Sequence, residues 1–156
     1  MLRALETIDC KLHIIGPLGE AVEKELSSRK IDFENSTDLT SEEMRVAYAD
    51  ADIVAFCSTF EGFGLPIIEA QAMQTPVLTS DIDPMRDIAG GGAVLVDPNN
   101  HLDIRDGILR LIAKSELRKA VVEKGVENVR RFSPHRITSL YENLYRTILA
   151  ANVRVD

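Results

Sequence analysis

Glu61 and Glu69 stand eight residues apart in the run EGFGLPIIE, with Gly62, Gly64 and Pro66 between them. Carboxylates bind hydroxyl groups, and a glycine turn between them can receive an anion. The preceding Ile53-Val54-Ala55-Phe56 is short, apolar and partly β-branched, which predicts a buried strand. Pro66 suits the first turn of a helix, where its missing N–H costs nothing and its φ is already helical. The order is therefore strand, glycine loop, helix. A helix N-terminus carries unpaired N–H groups and roughly half a positive charge. Gly62 and Gly64 let an anion come close to that backbone. Glu61 then lies at the mouth of the anion site, and Glu69 about one turn into the helix. A site that holds phosphate and offers carboxylates to hydroxyls suits a sugar nucleotide. A tight structural turn is the commoner use of such spacing in α/β proteins, and the spacing names no reaction.

The elements that must position these residues alternate along the chain. Residues 1–7 read as the end of a helix, 11–15 as a strand, and 18–29 as a helix with Val22 and Leu26 on one face. A short strand at 31–33 follows. Thr40 opens the next helix with Glu43 three residues on, a capping box. After the strand at 53–56 and the motif helix come a strand at 76–79 and a short helix at 84–89. Gly90-Gly91-Gly92 breaks that helix before a strand at 93–96. The remainder is helical over 102–113, 116–130 and 133–150, the last opened by Ser133-Pro134 as N-cap and N1 proline. Alternation of this kind predicts an α/β fold, a Rossmann-like doubly wound parallel sheet with helices on both faces. Ligands bind such sheets at the carboxyl ends of the strands, where the loops after Gly16 and Cys57 lie. The whole chain, 1–156, reads as a single domain with a core over 1–132 and a C-terminal helix over 133–152.

Composition bounds the partners. A chain of 156 residues buries about two-thirds of its surface. Its net charge of −7 argues against broad nucleic-acid or anionic-membrane binding and leaves room for a local anion site. Cys10 and Cys57 are too few for a disulfide framework and read as buried thiols, which fits a reducing, cytoplasmic location. No apolar run approaches the roughly 18 residues of a membrane span, and no signal peptide is expected from this stretch of sequence. His13, His101 and His135 are scattered, and no Cys/His/Asp group has metal-ligand spacing. Arg3 and Arg130-Arg131 read as solvated helix surface.

Glu61-Gly62-Phe63-Gly64-Leu65-Pro66, followed by Glu69-Ala70 and Pro76-Val77, resembles the donor half of retaining GT-B glycosyltransferases, above all glycosyltransferase family 4 with its E-x7-E motif. The resemblance covers nearly the whole chain. Leu12-His13-Ile14-Ile15-Gly16 looks like the family's second strand and glycine turn, and Ala51-Asp52-Ile53-Val54 like the strand leading into the motif. Ala93-Val94-Leu95-Val96-Asp97-Pro98 looks like its last strand. Phe132-Ser133-Pro134 matches the start of its final helix.

The resemblance implies a domain that binds a nucleotide-diphosphate sugar, linked through UDP or GDP, with no metal and no cofactor. Glu61 would be the catalytic residue, holding the sugar hydroxyls and stabilising positive charge near the anomeric carbon. Glu69 would accept charge-assisted hydrogen bonds from the ribose. The N–H groups around Phe63, Gly64 and Leu65 would face the diphosphate and stabilise the leaving group. Gly16 and Pro17, with Gly62, would line the same cleft. Transfer would retain the anomeric configuration and would need an N-terminal acceptor domain not present here, so this chain alone is expected to be inactive. A full-length enzyme could then sit at a membrane surface through that other domain.

Departures from the family set further expectations. Another strand normally precedes Lys11 and sits between the strands at 11–15 and 53–56. Its loss predicts either direct pairing of those two strands or a gap, and an open edge invites pairing with a second copy. The family's Arg and Lys that grip the diphosphate belong to that region, and losing such charge-assisted bonds costs ~1.5–3 kcal/mol each. Gln74 stands where the family has a glycine, which predicts a different helix cap or backbone strain. The loop Glu34-Asn35-Ser36-Thr37 lacks the glycine usual near the base, and Asp87 replaces a commoner glutamate. The rival reading is a non-catalytic nucleotide-binding or assembly module that kept the fold.

Overall fold

The computed structural model describes residues 1–152. Among them the elements run α1 (Leu2–Leu5), β1 (Lys11–Ile15), α2 (Glu20–Ser28), β2 (Asp32–Ser36), α3 (Ser41–Asp50), β3 (Val54–Phe56), α4 (Leu65–Ala72), β4 (Val77–Ser80), α5 (Met85–Ala89), β5 (Val94–Val96), α6 (His101–Ala113), α7 (Ser115–Val129) and α8 (Pro134–Asn152). A 3-10 turn at Arg130–Phe132 joins α7 to α8. The alternation predicted from the sequence is present, and every strand pairing is parallel.

Strand β4 lies between β3 and β5, and all four of its residues are buried. A strand covered on both faces reads this way, without the alternation of a one-sided sheet. Val77 joins Ile67 and Ala70 of α4, Tyr48 of α3 and Met85 of α5 in one cluster. Leu78 faces the other way, into a cluster with Val94, Val96, Ile104, Ile108 and Leu111. Helix α6 can lie close on this second face because residue 107 is glycine: a Cβ there would come within 2.6 Å of Leu78 Cδ1. Full burial of a Leu or Ile side chain contributes about 1.5–3 kcal/mol. These two clusters therefore hold the fold, whereas Leu140, Leu144 and Leu149 of α8 stay more than half exposed.

The strands form two separate ladders, β1 with β2 and β3-β4-β5. Among the described residues no ladder joins β1 to β3, so the gap is observed and the direct pairing is not. Leu12, Ile14 and Phe33 of the first ladder nevertheless pack on the same core as Leu78, Val94 and Val96 of the second. Apolar contact thus spans the gap, and among the described residues β1 and β3 each have one edge without a ladder partner.

Element boundaries differ from the sequence reading in three informative places. Strand β2 starts at Asp32 and extends to Ser36, three residues past the expected end at Phe33, because all five of its residues pair with β1. Helix α2 begins at Glu20 behind Gly19, not at Leu18. Gln74 adopts φ 62°, the left-handed conformation for which glycine is favoured, so the expected strain at the end of α4 is present. The capping box at Thr40 forms in both directions, with Glu43 Oε2 accepting from Thr40 N–H at 2.8 Å and Thr40 Oγ1 accepting from Glu43 N–H at 3.3 Å.

Candidate functional site

The loop between β3 and α4 is built from the strand pairing outward. Thr79 Oγ1 donates to the Phe56 carbonyl at 2.8 Å, and Ser80 Oγ donates to the Ser58 carbonyl at 2.6 Å. These two side chains of β4 continue the attachment of β3 past its last ladder residue. Ser58 in turn donates its hydroxyl to Glu61 Oε1 at 2.7 Å. Glu61 is thereby held at the strand's carboxyl end with its second oxygen uncommitted among the described residues.

Gly64 is the N-cap of α4 at φ 104°, ψ 46°, and Pro66 occupies the first turn as the sequence predicted. A Cβ at Gly64 would also meet Ile67 Cδ1 at 3.2 Å, so conformation and space both call for glycine. Gly62 is different: its φ is not left-handed and a Cβ there would meet nothing within 4 Å. The N–H groups of Gly62, Phe63, Gly64 and Leu65 have no acceptor among the described residues. The Phe63 ring packs edge-on against Phe132 with centroids 5.8 Å apart, which fixes the middle of the loop from the far end of the chain.

Glu69 lies on the exposed side of α4, and its Oε2 accepts from the Tyr48 hydroxyl at 2.9 Å. Tyr48 is buried among Ile67, Ala70 and Val77. Burial, and then the hydrogen bond and charge of Glu69, hold its phenol well above the usual tyrosine range. The phenol is therefore a donor that fixes one carboxylate oxygen and leaves Oε1 without a hydrogen-bond partner among the described residues. No cation lies within ion-pair range of Glu69 among the described residues.

Gly16 and Pro17 follow β1, with Gly16 at φ 118°. Gly16 N–H donates to the Ser36 carbonyl at 2.8 Å. Asn35 Nδ2 donates to the carbonyls of Ile14 at 2.9 Å and Gly16 at 2.8 Å. The turn is thus pinned by the same polar loop that lacks the family's glycine. No hydrogen bond joins it to the Glu61–Leu65 loop among the described residues. Both lie at carboxyl ends of parallel strands, but in separate ladders.

The loops 16–19, 37–40, 57–64, 81–84 and 97–100, which follow the five strands, contain no Lys or Arg. Arg86, the second residue of α5, is tied to Asp81 Oδ1 at 2.6 Å and to the Asp81 carbonyl. An anion at these strand ends would rest on backbone N–H groups rather than on side-chain charge. Among the described residues no group of three or more His, Cys, Asp or Glu could hold a metal ion. Ser58, Tyr48 and Asn35 hold the candidate residues in place, and sequence reasoning missed them. Ser58 could have been found from its place three residues before Glu61; the other two act across 21 and 19 or more residues of chain and leave no local signal.

Burial pushes the Cys57 thiol up to about 11, against a smaller opposite pull from the Met1 amino group. Cys10 is also raised, by burial and then by Asp9. Both thiols are half-buried rather than buried as the sequence suggested, and both are protonated at neutral pH.

Parallel ladders flanked by helices, with glycine loops at the strand ends, define a Rossmann-like α/β domain of the kind that forms half of a GT-B glycosyltransferase. The family model described as "Glycosyl transferases group 1" matches residues 1–128, and the chain belongs to that family. O-antigen chain mannosyltransferase B of Escherichia coli is 29% identical over 107 residues, covering 69% of this chain and 28% of the relative. The chain thus spans little more than a quarter of that curated relative. Sucrose-phosphate synthase from Thermosynechococcus elongatus superposes with a TM-score of 0.84 at 23% identity, over 96% of this chain and 41% of that one. HepE of Anabaena, solved in complex with UDP and glucose, superposes with a TM-score of 0.81 at 15% identity, over 96% of this chain and 43% of that one. At these identities the two structures share the fold.

Proposed function

We propose that this chain is the donor half of a retaining, family 4-like glycosyltransferase, binding a nucleotide-diphosphate sugar in the loop between β3 and α4. The observation that carries the reading is the pair of held carboxylates on either side of an unpaired run of N–H groups. Glu61 is positioned by Ser58, Glu69 by Tyr48, and the four N–H groups between them have no acceptor among the described residues. The diphosphate sits on those N–H groups at the start of α4, whose dipole favours the charge that builds on the leaving group. Glu69 Oε1 receives the ribose hydroxyls. Glu61 faces the sugar, holding its hydroxyls and offsetting positive charge at the anomeric carbon. Gly16 and Pro17 border the same cleft from β1. No metal is required, because the fixed N–H groups supply the electrostatic stabilisation.

The relatives support a sugar nucleotide as the partner: one is described as a mannosyltransferase, and a structural neighbour holds UDP and glucose. Transfer itself belongs to a complete two-domain enzyme, with the acceptor on the other domain. Phe60, Phe63 and Leu65, all exposed, rim the loop and would be covered by such a domain or by the donor. The test is a ligand-observed NMR screen of UDP, GDP, ADP and their sugar conjugates, with Glu69→Ala as control. Binding of one nucleotide that the variant loses supports the donor reading and names the base. Binding of none, or binding the variant keeps, favours the module that kept the fold without the site.

A further inference from the structure

We propose a second anion site, for a phosphate-bearing ligand, in the groove between the Gly90-Gly91 turn, the end of α7 and the start of α8. The groove encloses about 580 Å³ and is lined by Lys124, Arg130, Arg131 and Arg136 together with the two glycines. One carboxylate, Glu127, shares the lining. In a chain of net charge −7, four cations on one groove run against the mean. Arg130 and Arg131 are exposed, as the sequence reading has them, but they share this groove with Lys124 and Arg136.

The cations divide into one that is fixed and three that are uncommitted. Arg131 donates to the Asp87 carbonyl at 3.1 Å and to Asn128 Oδ1 at 2.9 Å, and pairs with the Asp87 carboxylate at 3.4 Å. Asn128 is only 4% exposed and donates in turn to Gln71 Oε1 at 2.8 Å and the Ile88 carbonyl at 2.7 Å. Arg131 is thus anchored to the core and forms a rigid wall. Lys124, Arg130 and Arg136 have no carboxylate in ion-pair range and no side-chain hydrogen bond among the described residues. The turn adds backbone: Gly91, at φ 80°, has no acceptor for its N–H among the described residues, and a Cβ there would meet nothing within 4 Å. Successive backbone groups in such conformations form anion-binding concavities.

This chemistry selects phosphate. Arginine forks match its oxygens, and several cations around one dianion outbid solvent better than they would around a single carboxylate. No residue of the Gly16-Pro17 turn or the Glu61–Leu65 loop lines the groove, so the inference stands or falls apart from the donor reading. Arg130, Arg131 and Arg136 also lie past residue 128, beyond the stretch the family model matches.

The experiment is a ¹⁵N NMR titration of the full chain with inorganic pyrophosphate, beside co-sedimentation with vesicles of phosphatidylglycerol in phosphatidylcholine and of phosphatidylcholine alone. The amides of Gly90 and Gly91 should shift and saturate. The double variant Lys124→Ala, Arg130→Ala should weaken binding about tenfold, the modest sum expected of exposed charges, with an otherwise unchanged spectrum because neither side chain bonds the fold. Saturation without sedimentation assigns a soluble phosphate ligand. Sedimentation only with anionic vesicles, lost in the variant, assigns a lipid headgroup. No saturating shift at Gly90 and Gly91 and no anion-dependent sedimentation overturns the proposal, as does an equal response from the variant.

Discussion

Removing one hydroxyl, in Tyr48→Phe, should loosen Glu69 without disturbing the core. The ring stays among Ile67, Ala70 and Val77, so the packing is kept. What is lost is the 2.9 Å hydrogen bond to Glu69 Oε2. A hydrogen bond to a charged group contributes about 1.5–3 kcal/mol when buried. Glu69 is exposed and water replaces the lost donor, so the loss here should be about 1 kcal/mol. For a chain of this length that lowers Tm by about 2–4 °C. The effect has a defined pH window. The folded phenol titrates above the usual tyrosine range, so its contribution is fully present below the unfolded value of about 10. It is lost as pH rises beyond that value toward the folded one. Chemical denaturation of wild type, Tyr48→Phe, Glu69→Ala and the double variant measures the pair. A coupling near 1 kcal/mol is expected, well above the roughly 0.3–0.5 kcal/mol scatter of independent sites. Additive losses at neutral pH would refute the claim that Tyr48 holds Glu69.

Two further outcomes follow from the backbone and the thiols. Gln74→Gly should stabilise the chain by about 0.5–1 kcal/mol, the relief of a left-handed L-residue less the entropy of glycine; a denaturation midpoint at or below that of wild type contradicts the strain. In a Cys10→Ser background, Cys57 should react with a thiol reagent at mildly alkaline pH about a hundredfold more slowly than an ordinary thiol, and faster as pH rises toward its folded value of about 11. A rate like that of a short peptide's cysteine would mean the thiol is not shielded.

Local chemistry made much of this structure legible in the sequence. Thr40 and Glu43, Pro66 after Gly64, and the break at Gly90 each act within a few residues, and each element they mark is present. The strand expected to be buried, at 53–56, is only partly so, with Ala55 exposed in β3; the strand buried on both faces is β4, whose Thr79 and Ser80 hide that burial from an apolar count. Gln74 was suspect because a left-handed helix end has a residue preference that one sequence can violate visibly. What stayed hidden is long-range and polar. Tyr48 reaches Glu69 from another helix, Asn35 caps the Gly16 turn across a ladder, and Asn128 binds Gln71 across 57 residues. None of these follows from periodicity, since a buried polar contact depends on where two elements meet. Arg130, Arg131 and Arg136 converge with Lys124 only because α7 turns into α8 beside the glycine turn.

The central claim is that Glu61 and Glu69 divide the donor between sugar and nucleotide. Calorimetric titration of a nucleotide sugar and its bare nucleoside diphosphate against wild type, Glu61→Gln and Glu69→Ala tests it most directly. The account predicts that Glu69→Ala weakens both ligands, whereas Glu61→Gln removes only the extra affinity contributed by the sugar. Variants that bind both ligands as wild type does would contradict it.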